Sequence, residues 1–218
     1  MKKETKHDRR SETAGLVQVA LFAALIIIMA FTPFLGYIPL GFTRATIIHI
    51  PVILGSIILG PKKGAILGFV FGMTSFINNT MNPTVTSFVF TPFYTMGEIH
   101  GGLGSIVICF LPRILVGVFP YFVYKLLNWI LKNRKSGQLY ALGVAGLIGS
   151  LTNTLLVMNF IFVFFKDAYA AANGIATESV YAFILSIIGI NGVPEAIIAA
   201  VLVAFVGRVL LKITAASH

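Results

Sequence analysis

Residues 41–80 read GFTRATIIHIPVILGSIILGPKKGAILGFVFGMTSFINNT, and the fold follows from how this stretch is parsed. Two apolar runs meet at Pro61-Lys62-Lys63-Gly64. A helix needs about 20 residues to cross the hydrocarbon core of a bilayer, and each run reaches or nearly reaches that length. Proline and glycine stop one helix and start the next. Lys62 and Lys63 cannot sit in lipid, so they hold the turn at one membrane face. The stretch is predicted to be a transmembrane hairpin with both outer ends on the opposite face. Arg44 and Thr46 mark one of those ends; Asn78, Asn79 and Thr80 mark the other.

Composition agrees. The 218 residues are 57% apolar and only 11% charged, with a mean hydropathy of +0.94. A soluble domain carries about 25% charged residues, so an integral membrane protein is expected. The net charge of +9 does not point to nucleic acid, because the basic residues fall in short clusters between apolar runs, which is a topology signal. Cys109 is the sole cysteine, which excludes an intrachain disulfide and a multi-cysteine metal site; it reads as a small buried apolar residue.

Six spans are predicted, giving an all-α transmembrane bundle: 14–32, 46–60, 63–80, 104–131, 139–165 and a sixth ending near Lys212. The first run follows a basic start and resembles a signal peptide, but it is long for one. Phe31-Thr32-Pro33-Phe34 is also no small-residue cleavage site, so the run is kept as a span. Residues 1–13 and 213–218 read as tails flanking a single domain, 14–212. Gly189, Gly192 and Pro194 interrupt the last run, so 179–190 is either a separate outer helix or the first half of a kinked span. A polar-aromatic connection covers 81–103. With six spans, all but Arg44, Arg113 and Lys166 of the sixteen basic residues fall on the side of the two termini. The positive-inside rule then makes both termini cytoplasmic. The two halves show no repeat, so an inverted-repeat transporter is not indicated.

The outer half holds the unusual side chains. Arg44 and Arg113 either bind an anion, for which arginine's fork is suited, or snorkel to headgroups or pair with acids. Gly146, Gly149, Ser150 and Asn153 share one helical face. The glycines read as a close helix contact, whereas the Asn153 amide needs a partner; Asn159 lies on a different face. Asn191 and Glu195 are four apart. Glu195 is either a ligand for hydroxyl or amide groups or a first-turn acid favoured by the helix dipole. Ala20 and Ala24 form a small-residue face on the first span. His49 reads as a hydrogen-bonded core residue. The G-x-x-x-x-G-K-[ST], H-E-x-x-H and G-x-S-x-G patterns are all missing, which leaves neither an ATP site nor a recognisable hydrolytic centre.

Four stretches carry a resemblance: ATIIHIPVILGSIILGPKKGAILGFVFGMTSF (45–76), PTVTSFVFTPFY (83–94), PRILVG (112–117) and NGVPEAIIAA (191–200). With the six spans and the alanine pair, the chain resembles the S components, the substrate-binding membrane subunits of energy-coupling factor (ECF) vitamin transporters, in their pantothenate-type branch. The resemblance implies high-affinity capture of a vitamin at the outer face of a bacterial plasma membrane. It implies assembly with a membrane-embedded coupling subunit, which Ala20 and Ala24 would meet, and with two cytoplasmic ATPases. This chain would carry no cofactor or metal, ATP being used by the partners. The loops 36–43 and 81–103 would act as lids, with Gly36, Pro39 and Gly41 as hinges.

For pantothenate, Arg113 or Arg44 would hold the carboxylate. Asn153, Asn191 and Glu195 would meet the amide and hydroxyls, and Phe90, Phe93 and Tyr94 would wall the gem-dimethyl end. The same fold would serve riboflavin, folate or a pyridoxine-type vitamin with another pocket. Trp129, the sole tryptophan, lies at the inner end, away from any outer stacking site for thiamin. Two other classes stand beside this one. An intramembrane enzyme would use Glu98, His100 and Glu195, which form no assembled motif. An oligomeric pore would want a polar stripe along a whole span.

Overall fold

The structure, a computed structural model, describes residues 6–32, 35–40 and 43–216. Helices make up nearly all of it: α1 (Lys6–Phe31), α2 (His49–Leu59), α3 (Pro61–Met81), α4 (Leu103–Val116), α5 (Phe119–Ile130), α6 (Gly137–Asn173), α7 (Val180–Ile187) and α8 (Val193–Ala216). Two small antiparallel hairpins interrupt them. Strands β1 (Tyr37–Leu40) and β2 (Thr43–Thr46) pair between α1 and α2; β3 (Thr95–Met96) and β4 (Ile99–His100) pair before α4. Four stretches are long and apolar enough to cross a membrane: Thr13–Phe31, Leu103–Ile130, Gly137–Asn173 and Thr177–Thr214.

The opening stretch folds as a helical hairpin, with two corrections. First, the turn is one residue, not four. Gly60 sits at φ 90°, a conformation open to glycine, and Pro61 starts α3 directly, its fixed φ suiting a first helical position. Lys62 and Lys63 therefore belong to the first turn of α3. Second, the expected helix 46–60 begins only at His49, because Thr43–Thr46 is taken into β2. Eleven residues span about 16 Å, roughly half the hydrocarbon thickness. α2 itself is central to the bundle. Every residue from His49 to Ile57 is buried, and the helix packs against α1, α3, α5, α6 and α8. A helix apolar on all sides is what such a central position requires.

The later spans also differ in detail. The expected helix 104–131 breaks at Gly117–Val118 into α4 and α5, where Pro120 opens α5 without a backbone donor. The expected span 139–165 extends to Asn173, through a non-helical Phe165 (φ −136°, ψ 25°), and stops at Gly174 in the left-handed conformation. For the last span the kinked alternative holds. The wide turn Ile188–Gly192 is π-helical and joins α7 to α8. It accommodates Pro194, whose ring removes a helical donor.

Two cores result. One surrounds α2, with Ile26, Val52, Ile53, Leu67, Leu142 and Val203 among its members. The other lies at the opposite end, where Phe88 and Val89 of the 82–102 connection pack on Ile108, Val157, Ile161 and Ile184. The sequence does not announce how closely α3 approaches α4. Gly64, Gly68 and Gly72 recur every four residues along α3 and face Gly117, just past the end of α4, and Arg113–Ile114 and Cys109–Phe110 within it. Small residues at this spacing let two backbones touch.

Candidate ligand-binding cavity

Between the two cores lies a cavity of about 330 Å³, at the lower end of the small-molecule pocket range of about 300–1,000 Å³. One wall is a single face of α3. Phe71, Thr74, Ser75, Asn78 and Asn79 line it, with Asn82 just past its end, at spacings of three, four, seven, eight and eleven, which is helical periodicity carrying polar residues. Thr46 borders it from the end of β2 and Ile48 from just before α2, Thr84 and Phe90 from the connection, Arg113 from α4 and Asn153 from α6.

Arg113 is 6% exposed, and local chemistry explains how the helix holds it. Pro112 has no N–H to offer the carbonyl of Ile108, four residues back. The guanidinium takes that acceptor: Arg113 Nη1 donates to Ile108 O at 2.6 Å. Its central carbon lies 5.1 Å from the Phe90 ring centre and 5.7 Å from that of Phe71, within cation–π range. The Pro-Arg pair thus aims a cation at the cavity between two aromatic faces. On α6, Asn153 Oδ1 is buried without a hydrogen-bond partner among the described residues. Such an acceptor is costly until a donor meets it.

The connection over the cavity is pinned by hydroxyls. Ser87 Oγ donates to Asn79 Oδ1 at 2.8 Å and accepts from the Thr84 N–H at 2.8 Å. Thr80 and Thr91 share a hydrogen bond of 2.8 Å between their hydroxyls. Ser105 Oγ donates to Phe88 O at 2.6 Å. These bonds fix Phe90 beside Arg113. The β1–β2 hairpin is tied from the other side, where the Thr46 N–H donates to Glu195 Oε1 at 2.7 Å.

Of the residues singled out in the sequence, Arg113, Asn153 and Phe90 come together at the cavity. Glu195 is buried beside it and holds Thr46. Asn191 sits in the π-turn with Oδ1 buried and unpartnered among the described residues, and does not line the cavity. Tyr94 packs on the second core, and Phe93 is 73% exposed, edge-on to Phe76 at 5.9 Å. The short helical turn Ser87–Val89 sends Phe90 toward Arg113, and neither Phe93 nor Tyr94 borders the cavity. Arg44 lies on β2 opposite Pro39; its side chain falls outside the described residues. Ala20 and Ala24 are both exposed on α1, while Ala23 and Ile26 face the core.

His49 is buried, but neither ring nitrogen has a partner among the described residues, contrary to expectation. Asn159 is exposed and donates to Leu155 O within its own helix. Gly146 and Gly149 make the close contacts read from their spacing, against Ala199–Val203 and Ile53–Pro120. Asn78, Asn79 and Thr80 read in the sequence as end markers, which leaves out the α3 face from Thr74 to Asn78; the helical period running back from Asn78 through Thr74 to Phe71 is the signal for it. No three His, Cys, Asp or Glu side chains among the described residues come close enough to share a metal ion.

A family model described as "ECF transporter, substrate-specific component" matches residues 15–207. The pantothenic acid transporter PanT of Lactococcus lactis subsp. cremoris is 39% identical over 188 residues, covering 83% of this chain and 91% of the relative. The pantothenate transporter PanT of Leuconostoc mesenteroides subsp. mesenteroides is 29% identical over 209 residues, covering 93% and 95%. Among solved structures, the S-component for biotin from an ECF-type ABC transporter superposes with a TM-score of 0.54 at 20% identity, covering 96% of this chain and 95% of the other. That likeness concerns the fold alone. With the family match running over most of its length, the chain belongs to the substrate-specific components of ECF transporters.

Proposed function

We propose that this chain captures pantothenate and passes it to an ECF importer in a bacterial plasma membrane. The observation that carries the reading is the cavity itself. It joins the Arg113 guanidinium, the unpartnered Asn153 oxygen, a polar α3 face and the Phe71 and Phe90 rings in one small space. Pantothenate offers a carboxylate for a cation, hydroxyl and amide donors for an orphan oxygen, and a gem-dimethyl group for aromatic faces. The relatives' names support the same cargo. Arg113 takes the carboxylate, and Asn153, Thr74, Ser75 and Asn78 meet the amide and hydroxyls. Glu195 acts by holding the hairpin, and Arg44 remains a second candidate cation.

In this reading the bundle crosses the membrane six times: α1, α2 with its hairpin, α3, α4–α5, α6 and α7–α8. Both termini then lie on the cytoplasmic side with most of the basic residues. The chain needs no cofactor of its own. A membrane-embedded coupling subunit and two cytoplasmic ATPases supply the energy, and the exposed Ala20–Ala24 face of α1 meets the coupling subunit.

Purified protein titrated with radiolabelled pantothenate should saturate at one equivalent without ATP. A flat titration, with saturation by riboflavin or folate instead, would remove the cargo assignment. Replacing Ala20 and Ala24 by phenylalanine should abolish uptake in cells carrying the partner subunits while leaving binding by the purified chain unchanged. Loss of binding in that variant would mean that the face is internal.

A further inference from the structure

An apolar groove runs between α6 and α8 in the half of the bundle away from the cavity. Tyr140, Gly143 and Val144 form one wall and Val201, Ala204 and Phe205 the other, with no polar lining. Its extent from residue 139 to 147 is about 12 Å, close to the depth of one leaflet of a hydrocarbon core of about 30 Å. Helix packing fixes what lies at its end. Gly146 meets Ala199 and Val203, and Gly207 meets Leu142. Continued by one turn, that antiparallel register sets Arg208 level with 139; one turn further, Lys212 lies past the start of α6 at Gly137, on the side of the turn that carries Lys135. Val201, Phe205, Arg208 and Lys212 fall on one face of α8, and both cations are exposed. Tyr140, 66% exposed, suits the headgroup level. Glu98, Asp167, Glu178 and Glu195 belong to the opposite end, and Asp8 and Glu12 are on α1, which packs on α2 and α3.

We infer that this groove is a binding site for an anionic membrane phospholipid, one acyl chain lying between α6 and α8 and the headgroup phosphate meeting Arg208, Lys212 and Lys135. Basic pockets between transmembrane helices hold anionic headgroups in this way. The cations at the mouth distinguish the occupant from bulk lipid, which would fill an apolar groove without preference. They also distinguish it from an apolar helix of another protein, which would leave three charges unmatched. The glycine gives the groove its depth. A Cβ at Gly143 would stand 3.6 Å from Ala200 O and 3.7 Å from Ala204 Cβ, ordinary contacts, so a side chain there enters the groove without parting the helices.

The test is native mass spectrometry of the full chain in detergent with phosphatidylglycerol as probe and phosphatidylcholine as control. The wild type should retain phosphatidylglycerol preferentially. The double change Arg208→Gln and Lys212→Gln should weaken that retention about tenfold, and Gly143→Leu should weaken it with the charges intact. Val201→Phe fills the groove from the exposed wall of α8 and serves if Gly143→Leu fails to give a monodisperse protein with the wild-type melting temperature. Equal retention of the two lipids overturns the site. So does a response to the charges with none to either groove-filling change, because the lipid is then held by its headgroup alone. Loss of assembly with partner subunits in Gly143→Leu, with lipid retention unchanged, would give the groove to a protein and overturn it equally.

Discussion

Arg113→Ala is expected to weaken pantothenate binding by about 100-fold or more, the largest effect of any single change in the cavity. A hydrogen bond to a charged group contributes about 1.5–3 kcal/mol, and two from one guanidinium to a carboxylate reach about 3 kcal/mol or more; each 1.4 kcal/mol is about tenfold in affinity. The side chain has a second role that the measurement must separate. It donates to Ile108 O and lies against two rings, so its loss also costs stability. Pantothenol, in which an alcohol replaces the carboxylate, makes the separation. The wild type should prefer pantothenate strongly, and Arg113→Ala should bind both ligands almost equally. Arg113→Lys should fall between, keeping the charge but not the planar fork. If Arg113→Ala weakens both ligands by the same factor, the arginine supports the fold and another group reads the carboxylate.

The hairpin, the order of spans and the placement of small residues were legible because each rests on local chemistry. Gly60-Pro61 stops one helix and starts another whatever surrounds it, and Gly146 and Gly149 advertise a close contact by spacing alone. Arg113 and Asn153 were legible for a different reason: an ionised group or an amide deep in an apolar run needs an explanation. What was not legible depended on packing at a distance. Nothing near His49–Ile57 distinguishes a lipid-facing helix from a central one, since both are apolar all round. The wrap of the other helices makes the difference. Phe90, Phe93 and Tyr94 lie within five residues, and the turn at Ser87–Val89 decides which of them meets Arg113. That turn is held by Asn79 and Ser105 from two separate helices. The partner of Glu195, Thr46, lies 149 positions away, which no local pattern announces.

A single methyl group added at Gly68 should be strongly disruptive. A Cβ there meets the Arg113 carbonyl oxygen, with Ile114 Cα at 2.8 Å and Arg113 C at 2.9 Å. All three atoms are backbone, so no rotamer change relieves the overlap and α3 must move away from α4. Overpacking costs about 1–3 kcal/mol where side chains can yield, and here they cannot. Gly68→Ala should therefore sit at the upper end of that range, lowering the thermal midpoint by about 6–12 °C if the scaling for 150–250-residue domains carries over.

Gly72→Ala is the internal comparison. Its Cβ would meet the Phe110 ring at 2.8 Å and Cys109 O at 3.2 Å, and a ring can tilt, so the loss should be smaller. Gly68→Ala should also reach the cavity, because the backbone it displaces belongs to Arg113. A shift of that residue spoils a two-pronged contact with a carboxylate more than a contact with an alcohol. Pantothenate affinity should accordingly fall more than pantothenol affinity in Gly68→Ala and by equal factors in Gly72→Ala. If Gly68→Ala melts with the wild type, α3 and α4 have slack between them and the contact does not fix Arg113 in place. If it melts early but weakens both ligands alike, the crossing stabilises the bundle without aiming the cation.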